Sequence, residues 1–180
     1  EHACMLLLGE GSQLGPVLCR DTRVQGVLFT GSTTAAQQIN RCLAARNDAI
    51  VPLIAETGGQ NAMVVDSTAL PEQVVSDVLL SAFGSAGQRC SALRVLYIQE
   101  DVYERIIAML KGAMALLRVG TTLDVASDVG PVIDAGALQM LHAHEAFLKQ
   151  QATLIAKVQL PNKATSSGHF FAPCAYEIPS

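Results

Sequence analysis

Residues 24–55 read VQGVLFTGSTTAAQQINRCLAARNDAIVPLIA, and this stretch decides the fold. Val24 to Phe29 is a short apolar run that ends at Thr30-Gly31, the pattern of a buried strand. From Thr33 to Arg46 the period changes: Ala35, Ala36, Ile39, Cys42 and Leu43 fall on one face of a helix at spacings of three and four. Ile50 to Ala55 is a second apolar run. A strand, a helix and a strand in this order predict two parallel strands joined by a right-handed crossover. The fold class is therefore α/β.

Working outward, Cys4 to Leu8 reads as a further buried strand ending at Gly9, with a short helix after it. Downstream of Gly58-Gly59 come a strand over Ala62–Val65 and a helix from Pro71 to Phe83, with Val74, Val75, Val78, Leu79, Ala82 and Phe83 as its stripe. Pro71 suits the first helical turn, where its missing N–H would be unpaired anyway. A loop over Gly84–Ser91, a strand over Leu93–Ile98 and a helix over Asp101–Leu117 follow. Val119 to Pro131 is Gly/Asp/Thr-rich and irregular, a helix is expected from Ala135 to Gln150, and Asn162–Gly168 is a polar segment expected to be flexible. A doubly wound dinucleotide fold needs more strands than those before Gly58, so the remaining ones are expected upstream.

The chain has 180 residues, 50% of them hydrophobic and only 16% charged, below the roughly 25% of an average soluble domain. With a mean hydropathy of +0.33, this composition suggests surface that is covered by protein beyond these residues, and the chain is read as a fragment. The longest uncharged run, Val24–Asn40, carries eight polar Gln, Thr, Ser and Asn residues, so no transmembrane helix is expected. The net charge of −4 and scattered basic residues lack the footprint of nucleic-acid binding. Five cysteines without a Cys-x-x-Cys pair argue against a disulfide framework or a zinc site, and point to a reducing, cytoplasmic compartment.

Four segments could carry chemistry. Gly9-Glu10-Gly11-Ser12-Gln13-Leu14-Gly15 lies between a strand and a helix, where glycine allows a tight turn or the close approach of a ligand. Phe29-Thr30-Gly31-Ser32-Thr33 puts a hydroxyl at a helix start, which reads either as an anion site for a pyrophosphate or as an ordinary N-cap. Glu56 ends a strand predicted to be buried, so desolvation would raise its pKa toward that of a general base; a solvated loop-end carboxylate is the alternative. Cys90 sits in a small-residue loop beside Arg89, whose charge would favour thiolate, although a packed cysteine is the commoner use. Cys19 and Cys42 read as core residues. His142 and His144 point to different helix faces, and Asp124, Asp128 and Asp134 read as solvated or capping groups, so no metal site is expected.

Taken together, Phe29-Thr30-Gly31-Ser32-Thr33, Glu56-Thr57-Gly58-Gly59-Gln60-Asn61 and Gly87-Gln88-Arg89-Cys90 resemble the motifs of the aldehyde dehydrogenase superfamily, in order and at its separations. Residues 55–66 (AETGGQNAMVVD), 81–96 (SAFGSAGQRCSALRVL) and 128–134 (DVGPVID) are similar to the dehydrogenase half of the bifunctional proline utilization A proteins. The resemblance implies the C-terminal part of a Rossmann-like NAD-binding domain at 1–57 and an incomplete, nucleophile-bearing domain at 58–180. It implies Cys90 as nucleophile and Glu56 as general base. Gly11, Gly15, Gly31, Ser32 and Ala35 would lie along NAD, Thr57 and Gly58 would approach the nicotinamide through their backbone, and Ser91 would help hold a substrate carboxylate.

The implied activity is NAD-dependent oxidation of L-glutamate γ-semialdehyde to L-glutamate, within a homo-oligomeric parent protein that would carry FAD only on a separate proline dehydrogenase domain and could associate peripherally with the inner membrane. The family's upstream oxyanion Asn and ribose-contacting Lys, and its downstream Glu-Val-Phe-Gly-Pro segment, are absent from these 180 residues. One oxyanion donor is worth about 2.7–4 kcal/mol, so the fragment alone is expected to be inactive. Two other readings stand beside this one: a dehydrogenase for a different aldehyde, and a non-catalytic module of the same fold. The presence of both Cys90 and Glu56 weighs against the second.

Overall fold

A computed structural model of the chain describes residues 3–161 and 168–179. They form two compact units, Glu1–Gly59 and Gln60–Ser180. The polar segment expected at Asn162–Gly168 lies, up to Ser167, outside the described residues.

The first unit contains α1 (Gly11–Arg20), β1 (Val27–Thr30), α2 (Thr33–Ala44) and β2 (Leu53–Glu56). β1 and β2 pair in parallel, from Val27 opposite Leu53 to Thr30 opposite Glu56, as the strand-helix-strand pattern predicted. α2 packs on α1 through buried Ala36, Leu43 and Cys19, and the Cys42 thiol reaches the Pro16 carbonyl at 3.9 Å. Two expectations fail. Cys4–Leu8 is not a strand, and its side chains are exposed, Met5 at 82% and Leu8 at 80%. A strand needs a neighbour to pair its backbone groups, and among the described residues none lies beside this segment. β1 and β2 are also not buried on both faces: Leu28 and Ile54 point to solvent, because no described element covers that side of the two-stranded sheet.

The second unit is built on β3 (Asn61–Val65), α3 (Pro71–Phe83), β4 (Leu93–Ile98) and α4 (Glu100–Ala115), followed by α5 (Ala135–Gln151), β5 (Thr153–Lys157) and β6 (Cys174–Glu177). β3 and β4 are parallel, with a shift in register between Asn61 and Ala62 that leaves an extra β4 residue, Arg94, at the strand start. Pro71 opens α3 as expected. Val74, Val75 and Val78 of α3, Ile106, Leu110 and Met114 of α4, Val65 and Leu93 of the strands, and Val119, Val129, Val158 and Phe170 form one core. The antiparallel pair β5–β6 was not foreseen, because Thr153 follows the α5 stripe with no glycine or proline to mark the change. Asp134 caps α5 through Ala137 N (2.7 Å), and Asp124 and Asp128 accept backbone N–H groups of Ala126 (2.9 Å) and Arg118 (2.8 Å). No helix among the described residues is long and apolar enough to cross a membrane.

Among the described residues of this unit, one charged side chain is buried. Glu145 of α5 is 5% exposed, and its carboxylate accepts from Lys157 on β5, from Lys149 one helical turn on at 3.1 Å, and from the Tyr176 hydroxyl on β6 at 3.4 Å. The Lys157 ammonium, with that of Lys149, holds the Glu145 carboxyl below its ordinary value in spite of its burial. A depressed folded-state pKa contributes stability that is present above the unfolded value of about 4.3 and lost as pH falls through the folded value. In the full-length protein, Glu145→Gln is therefore expected to lower the urea midpoint at pH 7 and to flatten its decline on acidification below about pH 4.3. Equal midpoints and equal slopes for the two proteins would contradict this account.

Candidate active site

The segment between α3 and β4 turns in an uncommon way. Ser85 (φ 56°), Ala86 (φ 53°) and Gly87 (φ 68°) are three successive residues in the left-handed region. Ser85 and Ala86 each have a Cβ there, at a cost of about 1–2 kcal/mol per residue. Gly87 has no alternative, since a Cβ at that position would stand 2.8 Å from the Ala82 carbonyl oxygen.

Such a turn persists only where its surroundings over-determine it, and here they do. The Gln88 backbone N–H and side-chain Nε2 both donate to the Ser85 carbonyl at 3.1 Å. Gln88 Nε2 also reaches the Pro131 carbonyl at 3.4 Å, and its Oε1 accepts from Ile133 N at 2.8 Å, tying the turn to the irregular segment before α5. Arg94 Nη2 donates to the Gly87 carbonyl at 2.6 Å, and Leu93 N donates to Ser81 Oγ at 3.2 Å.

Cys90 follows this turn with its thiol free and exposed, and Ser91 beside it is exposed as well. Ala92 is fully buried beneath them. The expectation for Arg89 is corrected: its guanidinium donates to the Leu80 carbonyl at 2.7 Å, in the last turn of α3, where a cation also complements the helix dipole. Its charge is committed to the helix end. Two site residues beyond those singled out from the sequence emerge here, Gln88 and Asn61. Asn61 Nδ2 donates to the carbonyls of Cys90 (2.6 Å) and Ala92 (3.0 Å).

In the first unit, the carboxyl ends of β1 and β2 bring two other motifs side by side. Thr30 stands opposite Glu56, and Gly31 N donates to the Glu56 carbonyl at 3.1 Å. Ser32 is the N-cap of α2, its Oγ accepting from Ala35 N at 3.2 Å, so the capping alternative is realised while the hydroxyl hydrogen is left to donate. Ala35 and Thr57 are half-buried. Nothing lies within 4 Å of where a Cβ would stand at Gly11, Gly15 or Gly58, so the backbone is open to a ligand at each. Glu56 itself is exposed, against the buried position expected, since β2 ends at the sheet margin. Its carboxylate stands in water at the strand end and is not desolvated by burial.

His142 packs edge-on against Phe171 and His144 stacks on Phe147. Among the described residues no group of three or more His, Cys, Asp or Glu side chains is placed to hold a metal.

Residues 1–178 match the model of the aldehyde dehydrogenase family. The chain belongs to that family. As an aldehyde dehydrogenase family chain it is 47% identical over 180 residues to the bifunctional protein PutA of Escherichia coli (strain K12), covering 96% of this chain and 14% of that protein. A crystal structure of a Bradyrhizobium japonicum proline utilization A mutant superposes with a TM-score of 0.87 at 52% identity, over 94% of this chain and 17% of that one. A 1-pyrroline-5-carboxylate dehydrogenase from Thermus with bound NAD matches with a TM-score of 0.83 at 28% identity, over 95% of this chain and 33% of that one. The α/β architecture of these aldehyde dehydrogenases is thus that of the present chain, which spans a small part of each relative's length.

Proposed function

We propose that this chain carries the nucleophile, the base and part of the cofactor cradle of an NAD-dependent dehydrogenase that oxidises L-glutamate γ-semialdehyde to L-glutamate in proline catabolism. The observation that carries this reading is the exposed Cys90 thiol at the end of a strained loop held by hydrogen bonds from Gln88, Arg94 and Asn61. The similarity to proline utilization A proteins and to a 1-pyrroline-5-carboxylate dehydrogenase supports the substrate.

In the proposed reaction Cys90 Sγ attacks the aldehyde carbon, and the resulting oxyanion lies toward the Cys90 backbone N–H. Bound NAD would supply the hydride acceptor, and loss of hydride from this thiohemiacetal leaves a thioester on Cys90. Glu56 then removes a proton from the water that hydrolyses the thioester and frees the thiolate. Residues 1–57 act as the C-terminal part of the NAD-binding domain and 58–180 as the nucleophile-bearing domain. The cradle fits the cofactor's chemistry: the open Gly11 and Gly15 positions, the N-terminus of α2 at Gly31 and Ser32, and the carboxyl ends of two parallel strands form the kind of place where α/β sheets bind nucleotides. Ala35, Thr57 and Gly58 complete it, and Ser91 supplies a hydroxyl for the substrate carboxylate. A parent protein of the proline utilization A type would hold FAD on a separate proline dehydrogenase domain, in a reducing cytoplasmic compartment that suits five free cysteines.

The test is NADH formation by the full-length protein with L-glutamate γ-semialdehyde, compared with an aldehyde of similar size that lacks the carboxylate. A site built to hydrogen-bond a polar group rejects an analogue without it strongly, so kcat/KM should favour the semialdehyde by more than about 100-fold. Equal turnover of both would move the assignment to a dehydrogenase for another aldehyde.

A further inference from the structure

Cys90 is tied at both of its peptide planes. On the upstream side Ala92 N donates to the Arg89 carbonyl at 3.1 Å. The Arg89–Cys90 peptide is planar and trans, so holding that carbonyl also sets the direction of the Cys90 N–H on the opposite side. On the downstream side the tie is a side chain. Both polar contacts of Asn61 Nδ2 are carbonyls of this loop, Cys90 at 2.6 Å and Ala92 at 3.0 Å, one on either side of the exposed Ser91. Asn61 is the first residue of β3, and the register shift directly after it separates its pairing from the rest of the ladder.

We propose that Asn61 is the positioning residue of the nucleophile: its carboxamide, by holding the Cys90 and Ala92 carbonyls, fixes the direction of Cys90 Sγ and of the Cys90 backbone N–H toward the substrate carbonyl. The proposal rests on the reading of Cys90 as nucleophile. The chemistry needs two N–H donors on one short side chain. Aspartate has the same shape but, ionised, only acceptors, and it would face two carbonyl oxygens with like partial charge. Alanine leaves space in which water can satisfy the carbonyls without orienting them.

The experiment is a rapid-mixing measurement of the NADH burst in the full-length protein, for wild type, Asn61→Ala, Asn61→Asp and Cys90→Ala. Each burst is normalised to the concentration of NAD-binding sites titrated on the same sample. A displacement of about 1 Å in a reacting group can cost about 100-fold, so the burst rate constant should fall about 10- to 100-fold in Asn61→Ala and further in Asn61→Asp. The dissociation constant for NAD should stay within about twofold, because the cradle lies in the other unit. A shape-filling role predicts the reverse order, with the isosteric Asp near wild type. Where Asn61→Ala yields no NAD-binding protein, Asn61→Ser is measured in its place. A burst rate per site within twofold of wild type for the variant measured, or Asp faster than Ala, overturns the proposal. A burst from Cys90→Ala overturns instead the nucleophile reading on which it stands.

Discussion

Replacing Cys90 by alanine in the full-length protein is expected to reduce NADH formation from L-glutamate γ-semialdehyde by at least about 10⁴-fold, the scale on which removal of an enzymatic nucleophile acts. The sulfur has two tasks that no neighbour can take over. It attacks a carbonyl carbon, and it is later expelled as a thiolate when water opens the thioester. Ser91 is exposed and adjacent, but an alkoxide is a far poorer leaving group and a hydroxyl is little ionised without a base beside it. The fold should survive the change, because Cys90 packs against nothing in the core and the loop is held through its backbone, by Ala92 N, Asn61 and Gln88. The variant should bind NAD as the wild type does, and mass spectrometry after incubation with aldehyde and NAD should find no acyl adduct. Turnover within about tenfold of wild type, against the loss a missing nucleophile brings, would remove Cys90 from the mechanism and leave its exposed thiol without a role.

The parts of this chain that could be read in advance are those where local pattern and tertiary surroundings agree. The strand over Leu93–Ile98 and the helix over Pro71–Phe83 appear with the bounds expected, since an apolar run and a proline-initiated stripe each leave one state available. The parallel pairing of β1 and β2 followed from the helix between them. Cys4–Leu8 shows the limit: an apolar run becomes a strand only where a partner lies beside it, and apolarity does not say whether one does. The small residues before Cys90 marked a loop, but not that Ser85, Ala86 and Gly87 would all be left-handed, a conformation held by Gln88 and Arg94 around the turn. The motifs around Cys90 and Glu56 were legible as residue types in order. What Arg89 and Asn61 do was not, since each reaches a partner set by the packing of α3, β3 and β4, and a guanidinium next in sequence to a thiol need not be next to it in space.

The second large effect is expected at Glu56. Glu56→Gln keeps the size of the side chain and its two polar atoms but removes the ability to take a proton. Attack by Cys90 and oxidation need no proton acceptor at this position, so the variant should still release about one NADH per active site in a rapid first phase. Hydrolysis of the thioester then lacks its base, and steady turnover should fall on the order of 10²- to 10⁴-fold, the usual share of general base catalysis. The enzyme should accumulate as an acyl adduct on Cys90, visible as a mass increase that hydroxylamine removes. The exposure of Glu56 sharpens the test. A carboxylate in contact with water needs no desolvated pocket to find its substrate, and its backbone is already anchored through Gly31 N and the pairing with Thr30. Loss of the first phase together with the second would assign Glu56 to the activation of Cys90. A steady rate near that of wild type would mean that the water is activated elsewhere, and that Glu56 only terminates its strand.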